Sequence, residues 1–131
     1  MLSLLRKLTI TRWIPVLWTA LTIFLLCIPG SSVPGDGFFP DIKNLDKVVH
    51  MILFGGIVLF WGSYSHQRIA DDRQWFRSIL SILFSSMLLG VILEYIQYYF
   101  IPLRSFDKGD ILADVAGSLA CWGFLIINRK K

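Results

Sequence analysis

Two groups of polar residues have the spacing of one helix face and the side chains that proton transfer requires. Asp46 and His50 are four residues apart, with Lys47 between them. Residues four apart share a face of a helix, so the Asp46 carboxylate can hold one tautomer of the His50 imidazole. Glu94 and Gln97 are three residues apart in a long apolar run. A buried carboxyl group and an imidazole that lie close together can exchange a proton with a ligand.

A third polar group leads into the last apolar run of the chain. Asp107, Asp110 and Asp114 follow intervals of three and four residues, and Arg104 precedes them. This spacing again places the aspartates on one helix face. Arg104 and Lys47 are suited to hold a phosphate or carboxylate group of a ligand.

The carboxylates also allow a metal alternative. A divalent cation such as Mg²⁺ could replace or assist the two basic residues, because oxygen ligands suit Mg²⁺, Mn²⁺ or Ca²⁺ better than zinc. Its ligands would be Glu94, Asp107, Asp110 and Asp114. A network of arginine and carboxylates accounts for the same residues without a metal, so we expect no cofactor.

We therefore predict one polar site with two kinds of residue. The candidate catalytic residues are Glu94, His50 and Asp110, and the candidate substrate-binding residues are Asp46, Lys47, Gln97, Arg104, Asp107 and Asp114. Each residue has a simpler alternative. An aspartate at a helix start can serve only as an N-cap, His50 can be a packing histidine, and Gln97 can form a hydrogen bond that only holds helices together.

The composition identifies the elements that must position these side chains. Of 131 residues, 55% are hydrophobic and 17% are charged, whereas soluble domains have about 25% charged residues. Disorder and a nucleic-acid-binding surface are excluded, because thirteen basic residues diluted among apolar runs form no continuous face for phosphates. We predict a single all-α domain over 1–131, an integral membrane bundle. Its four transmembrane helices are predicted at about 13–29, 47–64, 77–100 and 110–127.

The first apolar run has an alternative interpretation as a cleaved signal peptide, because it is short and follows charged residues. No A-x-A-like cleavage site follows it, so we predict that it is retained as the first helix. Cys27 and Cys121 both lie within apolar runs, and the chain has no CxxC motif. We expect both to be small buried side chains without a disulfide.

The basic residues predict the orientation, because cytoplasmic loops retain lysine and arginine. Nine of the thirteen lie at the two chain ends and between the second and third helices. The other four are Lys43, Lys47, Arg104 and Lys108. Both termini are therefore predicted to be cytoplasmic, in a multi-pass protein of the plasma membrane. The three polar groups then lie at the outward end of the bundle.

Glu94 is the most unusual residue of the site, because it lies within the predicted hydrocarbon layer. It is six residues before the end of the third run, roughly 9 Å below the outward interface. Its carboxylate is too deep to reach water by snorkelling. It must therefore hold a proton, bind a cation, or pair with Arg104, Lys47 or His50.

Small and polar residues mark the helix faces that should pack together. They are Ser86, Gly90, Glu94 and Gln97 on the third helix, and Ala113, Gly117 and Cys121 on the fourth. Small residues at such intervals allow neighbouring helices to approach closely. We predict that both faces point into the bundle.

The three polar groups, in this order along the chain, resemble the motifs of a known family, the VanZ-like membrane proteins. The family is named for a member associated with teicoplanin resistance. The resemblance lies in Asp46-Lys47-x-x-His50, Glu94-x-x-Gln97 and Arg104-x-x-Asp107-x-x-Asp110-x-x-x-Asp114-x-x-Gly117. It implies a small integral membrane protein that in some members affects tolerance of lipid-anchored glycopeptide antibiotics, and it implies no particular reaction. Where the family is expected to carry Asn, this chain has Asp114, which adds negative charge and removes an amide donor.

Three functions fit these residues. The first is an outward-facing site that binds or acts on a cell-envelope lipid or glycolipid, with or without catalysis. The second is a structural or regulatory protein whose polar network only fixes helix packing, although such hydrogen bonds are often worth well under about 2 kcal/mol. The third is a small proton- or ion-linked carrier, against which four short helices and the absence of an inverted repeat argue. The expected partner is the lipid bilayer, and the sequence leaves the oligomeric state open.

Overall fold

The computed structural model describes residue 4 and residues 7–29 and 45–129. Four helices are complete within these ranges: α1 (Trp13–Leu26), α2 (Leu45–Arg68), α3 (Asp72–Phe100) and α4 (Lys108–Ile127). The described residues contain no strand, which confirms the predicted all-α fold. α2, α3 and α4 are long and apolar enough to cross a membrane. α1 has 14 residues, fewer than the roughly 20 that span the hydrocarbon layer.

The helix ends differ from the predicted boundaries, mainly at polar segments. α2 continues past position 64 to Arg68, and α3 begins at Asp72 instead of 77. Asp71 is the N-cap of α3, and its side chain accepts a hydrogen bond from the Gln74 amide at 2.7 Å. Hydrophobicity cannot detect these polar turns, because charged residues occupy them. α1 ends three residues earlier than predicted, before Pro29.

α2 lies at the centre of the bundle, in contact with the three other helices, and its contact with α4 is the most extensive. The two backbones lie very close together at Gly117 of α4, where an added Cβ would overlap the carbonyl group of Met51. Gly62 of α2 makes room for Leu125 of α4 in the same way. Glycine at these positions therefore allows α2 and α4 to form a tightly packed pair.

The faces predicted to point inward do so. The buried positions on α3 include Ser86, Gly90, Glu94 and Gln97. The hydroxyl groups of Ser86 and Ser118 form a hydrogen bond of 3.0 Å between α3 and α4. On α4, Ala113 and Gly117 are buried, while Cys121 is only half-buried, as is Cys27, and both thiols are free.

The outward faces of the helices carry large apolar side chains. Exposed examples are Leu17, Phe24, Phe84, Leu88, Leu112 and Leu119. Contiguous apolar surface of this kind is unfavourable in water and favourable in contact with lipid chains. These faces are consistent with a bundle embedded in a membrane.

The polar contacts define two ends of the bundle. A hydrogen bond of 2.8 Å from Gln97 to the Leu26 carbonyl holds the carboxyl ends of α3 and α1 together. A contact of 2.7 Å between Lys47 Nζ and Asp107 holds the amino ends of α2 and α4 together on the same side. We call this side the site end. At the opposite end, Arg129 donates hydrogen bonds of 3.0 and 3.1 Å to carbonyl groups of the connection between α2 and α3.

The substitution Gly117→Ala is expected to destabilise the protein by about 1–3 kcal/mol, because the added methyl group would overlap backbone atoms of α2. Gly123→Ala is the matched control on the same helix. A Cβ at Gly123 meets no described atom within 4 Å, so no loss of stability is expected. Thermal unfolding of both variants in one detergent, followed by circular dichroism, measures the difference. Equal melting temperatures would contradict the close contact of α2 and α4.

Candidate functional site

The three polar groups of the sequence converge at the site end, around a buried pair of His50 and Asp114. His50 Nδ1 lies 2.8 Å from Asp114 Oδ1, and the two residues are 4% and 2% exposed. His50 Nε2 lies 3.8 Å from Asp110 Oδ2, a distance for an ion pair that is too long for a good hydrogen bond. With its proton on Nδ1, the imidazole donates to Asp114 and directs Nε2 toward Asp110. The contact with Asp114 thus orients the imidazole ring between two carboxylates.

The carboxylate that orients His50 is therefore not the predicted one. Asp46 is exposed and forms no hydrogen bond with His50 among the described residues; its one ion pair, of 3.5 Å, is with Lys47. The physical reason is the packing of α2 on α4, which points the His50 ring into the bundle, whereas Asp46 lies in the first turn of α2 at the surface. The interaction within one helix is replaced by an interaction between two helices.

Lys47 is surrounded by three carboxylates. Its Nζ lies 2.7 Å from Asp107, 3.4 Å from Asp110 and 3.5 Å from Asp46. Oxygens of these three aspartates lie within 4.8 Å of one another, close enough to share a cation. The predicted metal ligands overlap this group only at Asp107 and Asp110. The ammonium group supplies the positive charge among the three carboxylates, so the geometry is explained without a metal.

Asp107 has both a capping role and a role in the site. Its side chain caps α4 by accepting a hydrogen bond of 2.6 Å from the Gly109 amide. The hydrogen bond from Lys47, assisted by that from Gly109, holds the pKa of the Asp107 carboxyl below its usual range. N-capping and binding of a basic residue are therefore not alternatives at this position.

Glu94 is 1% exposed and has a backbone partner. Its Oε1 accepts a hydrogen bond of 2.6 Å from the Asp107 amide, in the connection that enters α4. Among the described residues it forms no ion pair with Arg104, Lys47 or His50, the partners expected from the sequence. Its second oxygen has no hydrogen-bond donor within the same residues. Glu94 therefore retains one oxygen for a proton or a ligand.

Arg104 and Gln97 contact α1 instead of the carboxylates. The Arg104 guanidinium lies 3.4 Å from the Ile28 carbonyl, and Gln97 donates to the Leu26 carbonyl. The connection before α4 turns through Leu103, which has a φ of 60° and is exposed. Gln97 thus has the interhelical hydrogen bond that was the simpler alternative, and both residues border the site at its α1 side.

Two glycines make room for the site. A Cβ at Gly90 of α3 would lie 2.7 Å from Asp114 Oδ2, and one at Gly109 would lie 2.6 Å from the Lys47 side chain. Gly109 is missing from the predicted site residues. The sequence contains a signal for it, because Gly109 lies between two aspartates at a helix start. The positions of Lys47 and of the Asp107 carboxylate, which lies 2.9 Å from the added Cβ, explain why a side chain is excluded there.

These features define a class: an all-α protein with three helices long and apolar enough to cross a membrane and with a buried acid–histidine cluster at one end of the bundle. The sequence model of the VanZ/LLP1 family matches residues 3–129 of the chain. The chain therefore belongs to the VanZ/LLP1 family, which confirms the resemblance inferred from its polar groups. No curated protein and no solved structure gives a significant match to the chain.

Replacing Asp114 tests the buried pair. Asp114→Ala leaves the His50 Nδ1 group buried without its partner, so we expect a loss of about 1–3 kcal/mol in stability. Asp114→Asn retains an oxygen that can accept from Nδ1 and should lose less. Asp46→Asn, at the exposed rim, should change the stability by less than about 0.5 kcal/mol. Thermal unfolding in detergent measures all three, and unchanged stability of Asp114→Ala would be inconsistent with the pair.

Proposed function

We propose that the chain spans the plasma membrane four times, with both termini in the cytoplasm and the site end outward. The excess of lysine and arginine at the chain ends and between α2 and α3 supports this orientation. α1 would complete its span with flanking residues or in a locally thinned bilayer.

We propose further that the site end binds, or acts on, a cell-envelope lipid or glycolipid. The observation that carries the proposal is the buried pair of His50 and Asp114, each close in sequence to a residue, Met51 or Gly117, that lines an apolar groove. Groups of this kind are expensive at membrane depth and indicate function when they are not needed for folding. An outward site would meet envelope precursors where they are exposed.

The groove supports a ligand with a hydrocarbon chain. It is bounded by α2, α4 and Trp18 of α1, has a volume of about 420 Å³, and is lined on α2 and α4 by Met51, Gly55, Phe60 and Gly117 among others. Met51 follows His50 directly, and the lining extends along α2 to Phe60, roughly 14 Å further. The chain of a lipid would lie in this groove, with its polar head at the acid–histidine cluster.

The polar residues would then have distinct roles. Lys47 and Arg104 would hold a phosphate or carboxylate of the head group. The head group and these two basic side chains would be positioned by Asp46, Asp107, Asp114 and Gln97. Glu94 and His50, with Asp110 facing the ring, would exchange a proton with it. Mg²⁺ could assist at the carboxylates. An effect on tolerance of the glycopeptide antibiotic teicoplanin, which the resemblance implies for some members of the family, would be a consequence of this binding.

A second candidate is a non-catalytic protein whose polar network only fixes helix packing. It is favoured by one observation, namely that the bonds of His50, Lys47 and Ser86 all connect two helices. A proton- or ion-linked carrier is the third candidate. The three candidate functions predict different effects on stability and activity when a single carboxyl group is removed.

Glu94→Gln is expected to abolish function while the protein remains folded, because the amide oxygen can still accept from the Asp107 backbone. Function is measured as stabilisation of the purified protein by undecaprenyl phosphate, with and without Mg²⁺, and as teicoplanin tolerance of cells. The matched control is Asp71→Asn, an acid-to-amide change at the opposite end that keeps an N-cap side chain. His50→Ala and Asp110→Asn should behave like Glu94→Gln.

The alternatives predict other results for the same variants. A packing network predicts that melting temperature and function fall together. A carrier predicts proton or ion flux in liposomes that contain the protein at high density. Stabilisation by undecaprenyl phosphate that is equal in Glu94→Gln and in the unchanged protein would refute the proposed site.

The orientation is tested with single cysteines in a background that lacks Cys27 and Cys121. Cysteine at position 32 or 105, in place of serine, should react with an impermeant maleimide in intact cells. Cysteine in place of His66, near the end of α2, should react only after the cells are opened. Labelling of the last variant in intact cells would reverse the orientation and move the site end to the cytoplasm.

A further inference from the structure

The opposite end of the bundle contains a second polar pocket, independent of the acid–histidine cluster. It lies where α1 begins and α2 ends, has a volume of about 360 Å³, and is lined by Arg12, Trp13, Tyr64, Arg68 and the segment 10–11. Nothing in the proposed function uses these residues. We propose that this pocket binds the phosphate group of an anionic phospholipid.

The two arginines are positioned to donate hydrogen bonds to an anion. The Arg68 guanidinium lies 4.5 Å from the Tyr64 ring centre and donates to the Ile10 carbonyl at 3.2 Å, and the Arg12 guanidinium lies 5.7 Å from the Trp13 ring centre. A guanidinium held over an aromatic ring keeps N–H groups at its edge for a phosphate. Neither arginine forms an ion pair within the described part of the chain. Their charge is therefore not neutralised by the protein there.

The start of α1 adds to the positive potential. Arg12 occupies the N-cap position without a side-chain hydrogen bond, and the first turn contains no acidic residue. The first intrahelical bond at this end is from the Val16 amide to the Arg12 carbonyl. Amide groups at a helix start carry partial positive charge, here those of Trp13 and Ile14 because Pro15 has no N–H, and this charge favours an anion beside the two guanidinium groups.

The surroundings favour a lipid phosphate over a free phosphate ion. Trp13 is 61% exposed, and Tyr64 is half-buried, at helix ends where aromatic rings lie among lipid head groups. Ile10 and Leu17 are 59% and 61% exposed next to the pocket and would contact acyl chains. Basic pockets at helix ends recognise anionic lipid head groups in this way. A soluble anion would gain nothing from these apolar contacts.

The test is binding of phosphatidylglycerol to the full chain in detergent, measured by native mass spectrometry and by thermal stabilisation. Phosphatidylcholine and inorganic phosphate are the comparison ligands. We expect phosphatidylglycerol to bind more tightly than phosphatidylcholine, and Arg12→Gln and Arg68→Gln each to weaken it about five-fold. The matched control is Arg73→Gln with Arg77→Gln, which removes two exposed charges at the start of α3 and should leave binding unchanged.

Three outcomes would overturn the proposal. The first is equal loss of phosphatidylglycerol binding in the Arg73 and Arg77 control. The second is equal binding of phosphatidylcholine, and the third is equal stabilisation by inorganic phosphate, which would indicate a free-anion site. If Arg68→Gln folds poorly, the binding of phosphatidylglycerol to Arg12→Gln alone tests the proposal. This variant should fold, because the Arg12 side chain forms no hydrogen bond with the described residues. A failure of undecaprenyl phosphate to bind at the site end has no bearing on this pocket.

Discussion

The bundle depends on one constraint: at the close contact with Met51 of α2, α4 has room for no side chain. Gly117 contacts the carbonyl group of Met51, the residue after His50, and Asp114 lies about one turn before Gly117. The close approach therefore brings the imidazole and the carboxylate to 2.8 Å in a region where neither could remain unpaired. Packing and charge pairing select the same register of the two helices, so a shift of that register would be opposed by both.

The sequence predicts the four helices and their inward faces because both follow from periodic burial along one chain segment. The spacing of Ser86, Gly90, Glu94 and Gln97 is sufficient to predict the inward face of α3, and all four residues are buried. Spacing does not predict which side chains meet across two faces, because it carries no information about the neighbouring helix. His50 therefore has Asp114 as its partner instead of Asp46, and Arg104 follows the turn at Leu103 toward α1 instead of Glu94.

The carboxylate at position 114 changes the chemistry available to His50. An amide there would be neutral and would offer the ring either a donor or an acceptor, depending on its rotamer. An ionised Asp114 offers only acceptors and so pairs with a protonated Nδ1, while Asp110 faces the other ring nitrogen at 3.8 Å. The imidazole can consequently donate from both nitrogens when it is charged and accept at Nε2 when it is neutral.

The two ends of the bundle use their basic residues differently, and this difference governs what each can bind. At the site end, Lys47 lies among three carboxylates, so an anionic head group must compete with Asp107 for the ammonium. At the opposite end, Arg12 and Arg68 face aromatic rings and no described carboxylate. Replacing the Asp107 carboxylate by an anionic head group is favourable only if the ligand makes further contacts, such as those of a hydrocarbon chain in the adjacent groove. The charge of Lys47 is therefore balanced by carboxylates at the site end, whereas the charges of Arg12 and Arg68 at the opposite end meet no described carboxylate.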